Sequence, residues 1–175
     1  MSHYDEFVEV VGVDEKPTGE VVTLHEAHTK RLLHRVAAVL VFSEDGRLYV
    51  QVRNEPGFRR DHTAAGHVDP GENYEQAAAR EMKEEIGLQV PLKFIISGIT
   101  EDFALNPTAN THIFAVFTAI APVGWQPVPN YEVKELLLME VNDILNDMQS
   151  NPDTYTHGFR KTLEAYLNSK DERNE

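Results

Sequence analysis

The chain contains no cysteine, which removes disulfides, thiolate ligands and cysteine nucleophiles from its chemistry. Positive charge is scarce: 16 Lys and Arg stand against 29 Asp and Glu, for a formal net charge of −13. Affinity for phosphate backbones comes mainly from Lys and Arg, so this balance argues against a nucleic-acid polymer as partner. No apolar run approaches a membrane span, and the opening residues, Met1 to Glu6, are acidic and lack a signal-peptide pattern. The expectation is a cytoplasmic protein without a membrane partner. At 175 residues, with no internal repeat, the chain suits one domain over residues 1–170, with 171–175 as a frayed tail.

Acid is not merely abundant but concentrated. Residues 66–88 read GHVDPGENYEQAAAREMKEEIGL. Here Glu81, Glu84 and Glu85 occupy the last turns of a helix at offsets of three and four, and so share one face. A helix C-terminus already carries partial negative charge, and like charges at this spacing repel by a few tenths of a kcal/mol per pair. A hard divalent cation removes the penalty, because Mg²⁺ takes carboxylate oxygens and keeps positions for phosphate oxygens. The local signals agree on the helix. Asn73 caps it with Gln76 as reciprocal partner, Ala77, Ala78 and Ala79 are strong helix formers, and Gly87 suits the left-handed C-terminal position. Pro70-Gly71 reads as a tight turn before it.

The rest of the chain mixes strands and helices without regular alternation. Strands are expected at 7–13 and 20–23 as an N-terminal hairpin, and at 34–42, 47–53, 93–103, 112–120 and 133–141. Helices are expected at 24–31, 142–148 and 156–168, with 54–61 and 122–130 as loops. The pattern implies an α/β sandwich with a mixed sheet.

The segment at 66–88 resembles the Nudix box, G-x5-E-x7-R-E-U-x-E-E-x-G-U, where U is a bulky aliphatic residue. Gly66, Glu72, Arg80, Glu81, Glu84, Glu85 and Gly87 fill every fixed position, and Met82 and Leu88 fill the U positions. At ordinary residue frequencies this coincidence has a chance of about 10⁻⁹ per starting point. The resemblance implies an α-β-α sandwich and a metal-dependent hydrolase acting on the diphosphate linkage of a nucleoside diphosphate derivative or other small organic diphosphate. Mg²⁺ or Mn²⁺ would be held by Glu81, Glu84, Glu85 and the Gly66 carbonyl. Glu72 and Arg80 would pair to support the loop. The general base stays open among Glu81, Glu85, Glu101, Asp102 and Glu132. Homodimers are frequent in the family, so a dimer is a possible assembly.

The N-terminal half also resembles the branch containing isopentenyl-diphosphate isomerase, through Pro17-Thr18-Gly19, Ala27-His28-Thr29, Leu33-His34 and Gly66-His67. In that enzyme three histidines and two glutamates bind a metal, and a cysteine beside the Gly-His pair moves protons. His28, His34 and His67 match the histidines; Ala65 stands at the cysteine position, and the glutamate pair falls at Asn110 and His112. Alkene isomerisation needs a proton donor and acceptor on opposite faces, and Ala65 is neither. The alternatives to hydrolysis are therefore an isomerase-like protein or an inactive diphosphate-binding module. His28, His34, His67 and His112 are candidates for a second, imidazole-rich site suited to Zn²⁺, Mn²⁺ or Ni²⁺. An anionic substrate requires local positive charge. Two clusters qualify, Lys30 with Arg31 and Arg35, and Arg53 with Arg59 and Arg60, of which Arg53 is the candidate phosphate contact. Phe58, Trp125 and Tyr131 are candidate stacking faces for a base, against the alternative of core or dimer contacts.

Overall fold

The computed structural model describes residues 6–100 and 111–171. Its centre is β3 (His34–Phe42), in which all nine residues are buried. Such a strand needs partners on both edges and layers on both faces. β8 (His112–Ile120) runs parallel to it from His34↔His112 to Phe42↔Ile120, and β6 (Ala64–His67) pairs antiparallel on the other side. β7 (Lys93–Thr100) extends the sheet beyond β8, while β4 (Leu48–Arg53) pairs with β9 (Val133–Met139) and the short β5 (Arg60–Asp61). The sheet is therefore mixed.

Alternation along β3 distributes its side chains between two layers. Ala37, Val39 and Val41 pack with Ala77, Ala78, Met82 and Ile86 of helix α2 (Tyr74–Ile86). Leu40 and Phe42 pack with Ile144, Phe159 and Leu163 of helices α3 (Val141–Ser150) and α4 (His157–Asp171). Helices thus cover both faces, giving the α-β-α sandwich expected. The N-terminal hairpin, β1 (Phe7–Val11) and β2 (Pro17–Thr23), joins the sheet where Val10 meets His34, and packs with helix α1 (Leu24–Lys30).

Several expected boundaries move. Residues 60–61 form β5 rather than loop, and β2 begins at Pro17, three residues early. Val141 starts α3 instead of ending β9, and α4 continues through Lys170 and Asp171. The proposed strand end at 101–103 and the tail at 172–175 lie outside the described residues.

Candidate active site

Helix α2 is fixed at both ends by the devices its sequence announces. Asn73 Oδ1 accepts from Gln76 N at 2.9 Å, and Gln76 Oε1 accepts from Asn73 N at 2.9 Å. Gly87 closes the helix with φ 71°. The preceding turn is closed by Glu72 N donating to Asp69 O at 3.0 Å, with Gly71 at φ 87°.

Arg80 is the hub of the loop. Its Nε and Nη2 grip the Glu72 carboxylate at 3.1 and 2.9 Å, and Nη2 also donates to the His67 carbonyl at 2.9 Å. Its Nη1 lies 2.5 Å from Glu81 Oε1 and 3.8 Å from Glu84 Oε2. The hydrogen bond from Arg80 holds the Glu72 carboxyl below its ordinary range.

The motif acids differ sharply in environment. Glu85 is 5% exposed, and burial, then the nearby Glu81 charge, pushes its carboxyl well up. Its Oε2 accepts from Gln51 Nε2 at 3.0 Å and from Ala65 N at 3.1 Å. Glu81 is pushed up to about 7 by burial, with Arg80 opposing and the charges of Glu84 and Glu132 adding to the rise. Its carboxylate rests directly on Gly66, where a Cβ would lie 2.0 Å from Oε1. Glu84 is the outer member, with its side chain 58% exposed. The three carboxylates do not gather into one cluster of ligand oxygens of the kind the histidines form among the described residues. Among the loop acids, Glu132 lies close enough for its charge to raise both Glu81 and Glu85. Glu101, Asp102 and Asn110 lie outside the described residues. Sequence reasoning missed Gln51; its one signal is a lone amide in the otherwise apolar run Leu48–Val52.

Five of the six basic residues of the two expected clusters stand in ion pairs with acids. Arg35 is buried against Glu9 at 2.7 Å, and Lys30 pairs with Glu26. Arg60 pairs with Asp147, and Arg59 with Glu55 at 2.8 Å. Arg53 Nη1 donates to the buried Asp61 at 2.9 Å, and its Nε stands 3.1 Å from Glu55 Oε2. Arg35, Arg53, Arg59 and Arg60 are each held by an acid, pairings that the acid excess of the sequence allows but does not assign one by one. Trp125 packs edge-on against Tyr49, centroids 5.2 Å apart, at the margin of the core.

On the opposite face of β3 and β6 lies a second constellation. His34 and His112 are register partners, as are Val36 and His67, so all three side chains emerge on one face. His28, from the last turn of α1, joins them. One ring nitrogen from each of the four lies within 4.8 Å of the others, the only group of three or more potential ligands so gathered among the described residues. Nε2 of His112 is 3.3 Å from Nε2 of His28 and 3.4 Å from that of His67. His34 Nδ1 meets the Leu32 carbonyl at 2.8 Å, which fixes the proton there. Its buried Nε2 then presents a lone pair with no hydrogen-bond partner. Burial first, and then the His67 and His28 charges, push His34 down to about 3 despite the Leu32 bond. His112 is lowered in the same way, by burial and then by the other three rings. Burial thus favours the neutral form of the His34 and His112 rings.

No helix among the described residues is long and apolar enough to cross a membrane. In comparison with known proteins, the NUDIX domain model matches residues 32–163. An isopentenyl-diphosphate Delta-isomerase of Pectobacterium atrosepticum is 32% identical over 165 residues, covering 89% of each chain. An uncharacterized Nudix hydrolase of Yersinia pestis is 40% identical over 68 residues, 36% of this chain and 37% of that one. Among solved structures, a Deinococcus radiodurans protein superposes with TM-score 0.66 at 18% identity, covering 83% of this chain and 90% of its own. A MutT protein from Methanosarcina mazei gives 0.64 at 18%, covering 82% and 96%. These two share the fold. The family match supports a pyrophosphohydrolase. With the complete motif folded into a braced loop and helix, and a domain match spanning most of the chain, the protein belongs to the NUDIX family.

Proposed function

We propose that this protein hydrolyses the diphosphate linkage of a nucleoside diphosphate derivative or another small organic diphosphate. Mg²⁺ or Mn²⁺ would be held by Glu81, Glu84, Glu85 and the Gly66 carbonyl. The observation that carries this reading is the Glu81–Glu85 pair. Two carboxylates buried within reach of one another's charge are costly unless a cation accompanies them. Arg80 reaches only Glu81 closely, which leaves Glu85 with neutral donors. Oxygen donors of this kind fit a hard divalent ion. Such an ion supplies neutralisation of phosphate oxygens and a more acidic water.

The chain's own residues do the rest. Gln51 and the Ala65 N–H orient Glu85, while Arg80 and Glu72 lock the loop that carries Gly66. Among the described residues the candidates for the general base are Glu81, Glu85 and Glu132, which lie close enough for their charges to act on one another. Under the isomerase-like alternative, the resemblance would place a proton-transferring side chain at position 65, where this chain has alanine.

The test is turnover of a substrate panel: nucleotide sugars, NADH, ADP-ribose, dinucleoside polyphosphates and isoprenoid diphosphates. Monophosphate products should form from at least one of them, cease with EDTA and return with Mg²⁺ or Mn²⁺. No product from any member would refute the reading.

A second reading concerns the histidines. The convergence of four ring nitrogens favours a separate site for a borderline or soft ion such as Zn²⁺ or Ni²⁺, or for Mn²⁺. Thermal melting of chelated protein tests it. His34 is depressed in the folded state, so its contribution is present above the unfolded value near 6.5 and is lost as pH falls toward 3. Between pH 6.5 and 5 the loss should be on the order of 2 kcal/mol from His34. Adding Zn²⁺ at pH 7 should raise the melting temperature, and His34→Phe should remove that rise. A melting temperature indifferent to Zn²⁺, Ni²⁺ and Mn²⁺ would end this reading.

A further inference from the structure

Residues 6–31 lie ahead of the segment that the domain model matches, yet they reach the motif loop at two points. The first runs through Arg35. Its backbone carbonyl accepts from Val68 N at 3.0 Å, and its Nη2 donates to the Glu72 carbonyl at 3.2 Å. One residue of β3 therefore holds both ends of the loop 68–72. The same Nη2 stands 2.7 Å from Glu9 Oε2 of β1, and the guanidinium carbon lies 5.5 Å from the centroid of the Tyr74 ring. The Arg35 side chain is only 10% exposed. A buried ion pair adds little net stability, because desolvation offsets the Coulomb gain, so stability alone does not account for this one.

The second point is Glu15, in the hairpin turn. Its backbone is left-handed, with φ 63°, a conformation that residues other than glycine rarely adopt and that persists where the surroundings impose it. Its Oε2 accepts from the Tyr74 hydroxyl at 2.7 Å, and its Oε1 accepts from the Ser97 hydroxyl at 2.9 Å. Burial, then the bond to Glu15, push the Tyr74 phenol well up, so it stays a donor. Strand β7 shifts register between Ile96 and Ile99, the interval that contains Ser97. Tyr74 opens α2, directly after the Asn73 cap. The hairpin thus holds residues 72 and 74, and Arg80 holds the same loop through the Glu72 carboxylate and the His67 carbonyl.

We propose that Arg35, Glu15 and Tyr74 are positioning residues for the divalent ion of the motif. Arg35, anchored by Glu9, fixes the Glu72 backbone. The Glu72 carboxylate then fixes Arg80, and Arg80 fixes Glu81 against Gly66. Glu15 fixes the start of the same helix through Tyr74. This rests on the hydrolase reading above and deepens it, by making the N-terminal hairpin part of the frame of the metal site.

Calorimetric titration of the full-length protein with Mg²⁺ reads that role without turnover. Imidazoles disfavour so hard an ion, so the histidine group does not interfere. Arg35→Met keeps the bulk and removes the donors. Losing a cation from a protein of net charge −13 should, on charge alone, tighten Mg²⁺ binding. Losing the frame should weaken it by about ten-fold, as removal of a group that orients metal ligands does. The two causes differ in sign. Tyr74→Phe changes no charge, keeps the ring and removes the bond to Glu15; affinity should fall roughly three-fold. A merely structural role would lower the melting temperature and leave the Mg²⁺ affinity of the folded protein as it was. Affinity unchanged or tighter in Arg35→Met, or no Mg²⁺ binding in the wild type, overturns the proposal. If Arg35→Met does not fold, Tyr74→Phe decides, and wild-type affinity there overturns it. With Arg35→Met weakened, unchanged affinity in Tyr74→Phe overturns the role of Glu15. Weakened variants of a protein that cleaves nothing on the substrate panel sink the hydrolase reading alone. Cleavage on the panel with affinities unmoved sinks the positioning role alone.

Discussion

Glu85→Gln should lower turnover by about a hundred-fold or more while leaving the melting temperature unchanged or higher. The opposite signs follow from one fact, the burial of this carboxylate beside Glu81. An amide keeps the volume and can still accept from Gln51 Nε2 and Ala65 N through its carbonyl oxygen. It also removes a repulsive charge, so folding loses nothing. Catalysis loses an anionic ligand for a divalent ion, an effect of several kcal/mol in transition-state charge stabilisation. By transition-state arithmetic that is two orders of magnitude or more. Glu84→Gln should act in the same direction from the exposed side. Steady-state rates and melting curves on the same preparations decide the matter. Activity within a few-fold of wild type in both variants would be incompatible with a metal site on this helix.

The second large effect is expected from the smallest change, Gly66→Ala. The added Cβ would lie 2.0 Å from Glu81 Oε1 and 2.1 Å from its Cδ. Gly66 is not among the residues with positive φ, so the backbone accepts alanine without strain and the whole effect is spatial. The Glu81 carboxylate must swing away. It is the end of a flexible side chain, so stability should change little. The swing breaks the contact with Arg80, which is itself fixed by Glu72 and the His67 carbonyl. A displacement of about 1 Å at a reacting centre costs on the order of 10²-fold. Turnover should fall by that amount with the protein still folded. A fully active Gly66→Ala variant would show that Glu81 does not work from its position over Gly66.

Much of this was legible in the chain because local signals and motif spacing agreed. β3 and β8 were readable from their apolar runs to the residue, and the capping pair Asn73–Gln76 and the C-terminal Gly87 delimit α2 as their chemistry requires. The Arg80–Glu72 brace followed from the motif resemblance. What was not legible depends on which strand lies beside which. Nothing local in Gln51 says that β4 will bring it to Glu85. The partners of Arg35 and Arg60 are likewise set by tertiary packing, with Glu9 and Asp147 far away in sequence. The histidines could be singled out by type, but their meeting depends on the parallel register of β3 with β8, which places His112 opposite His34. The partners of Glu15 are set in the same way, and its left-handed backbone runs against the preference of its residue type.

The four-residue strand β6 sits back to back between the acidic helix and the imidazole group. Gly66 pairs with Ala37 on the helix side, and His67 pairs with Val36 on the other. Because side chains alternate, inserting or deleting a single residue in this strand would swap the two outlooks. The glycine vacancy and the His67 ring would then both be misplaced together. Two constellations of unlike chemistry are thus yoked by a common pleat, and neither can drift in sequence position without dragging the other along.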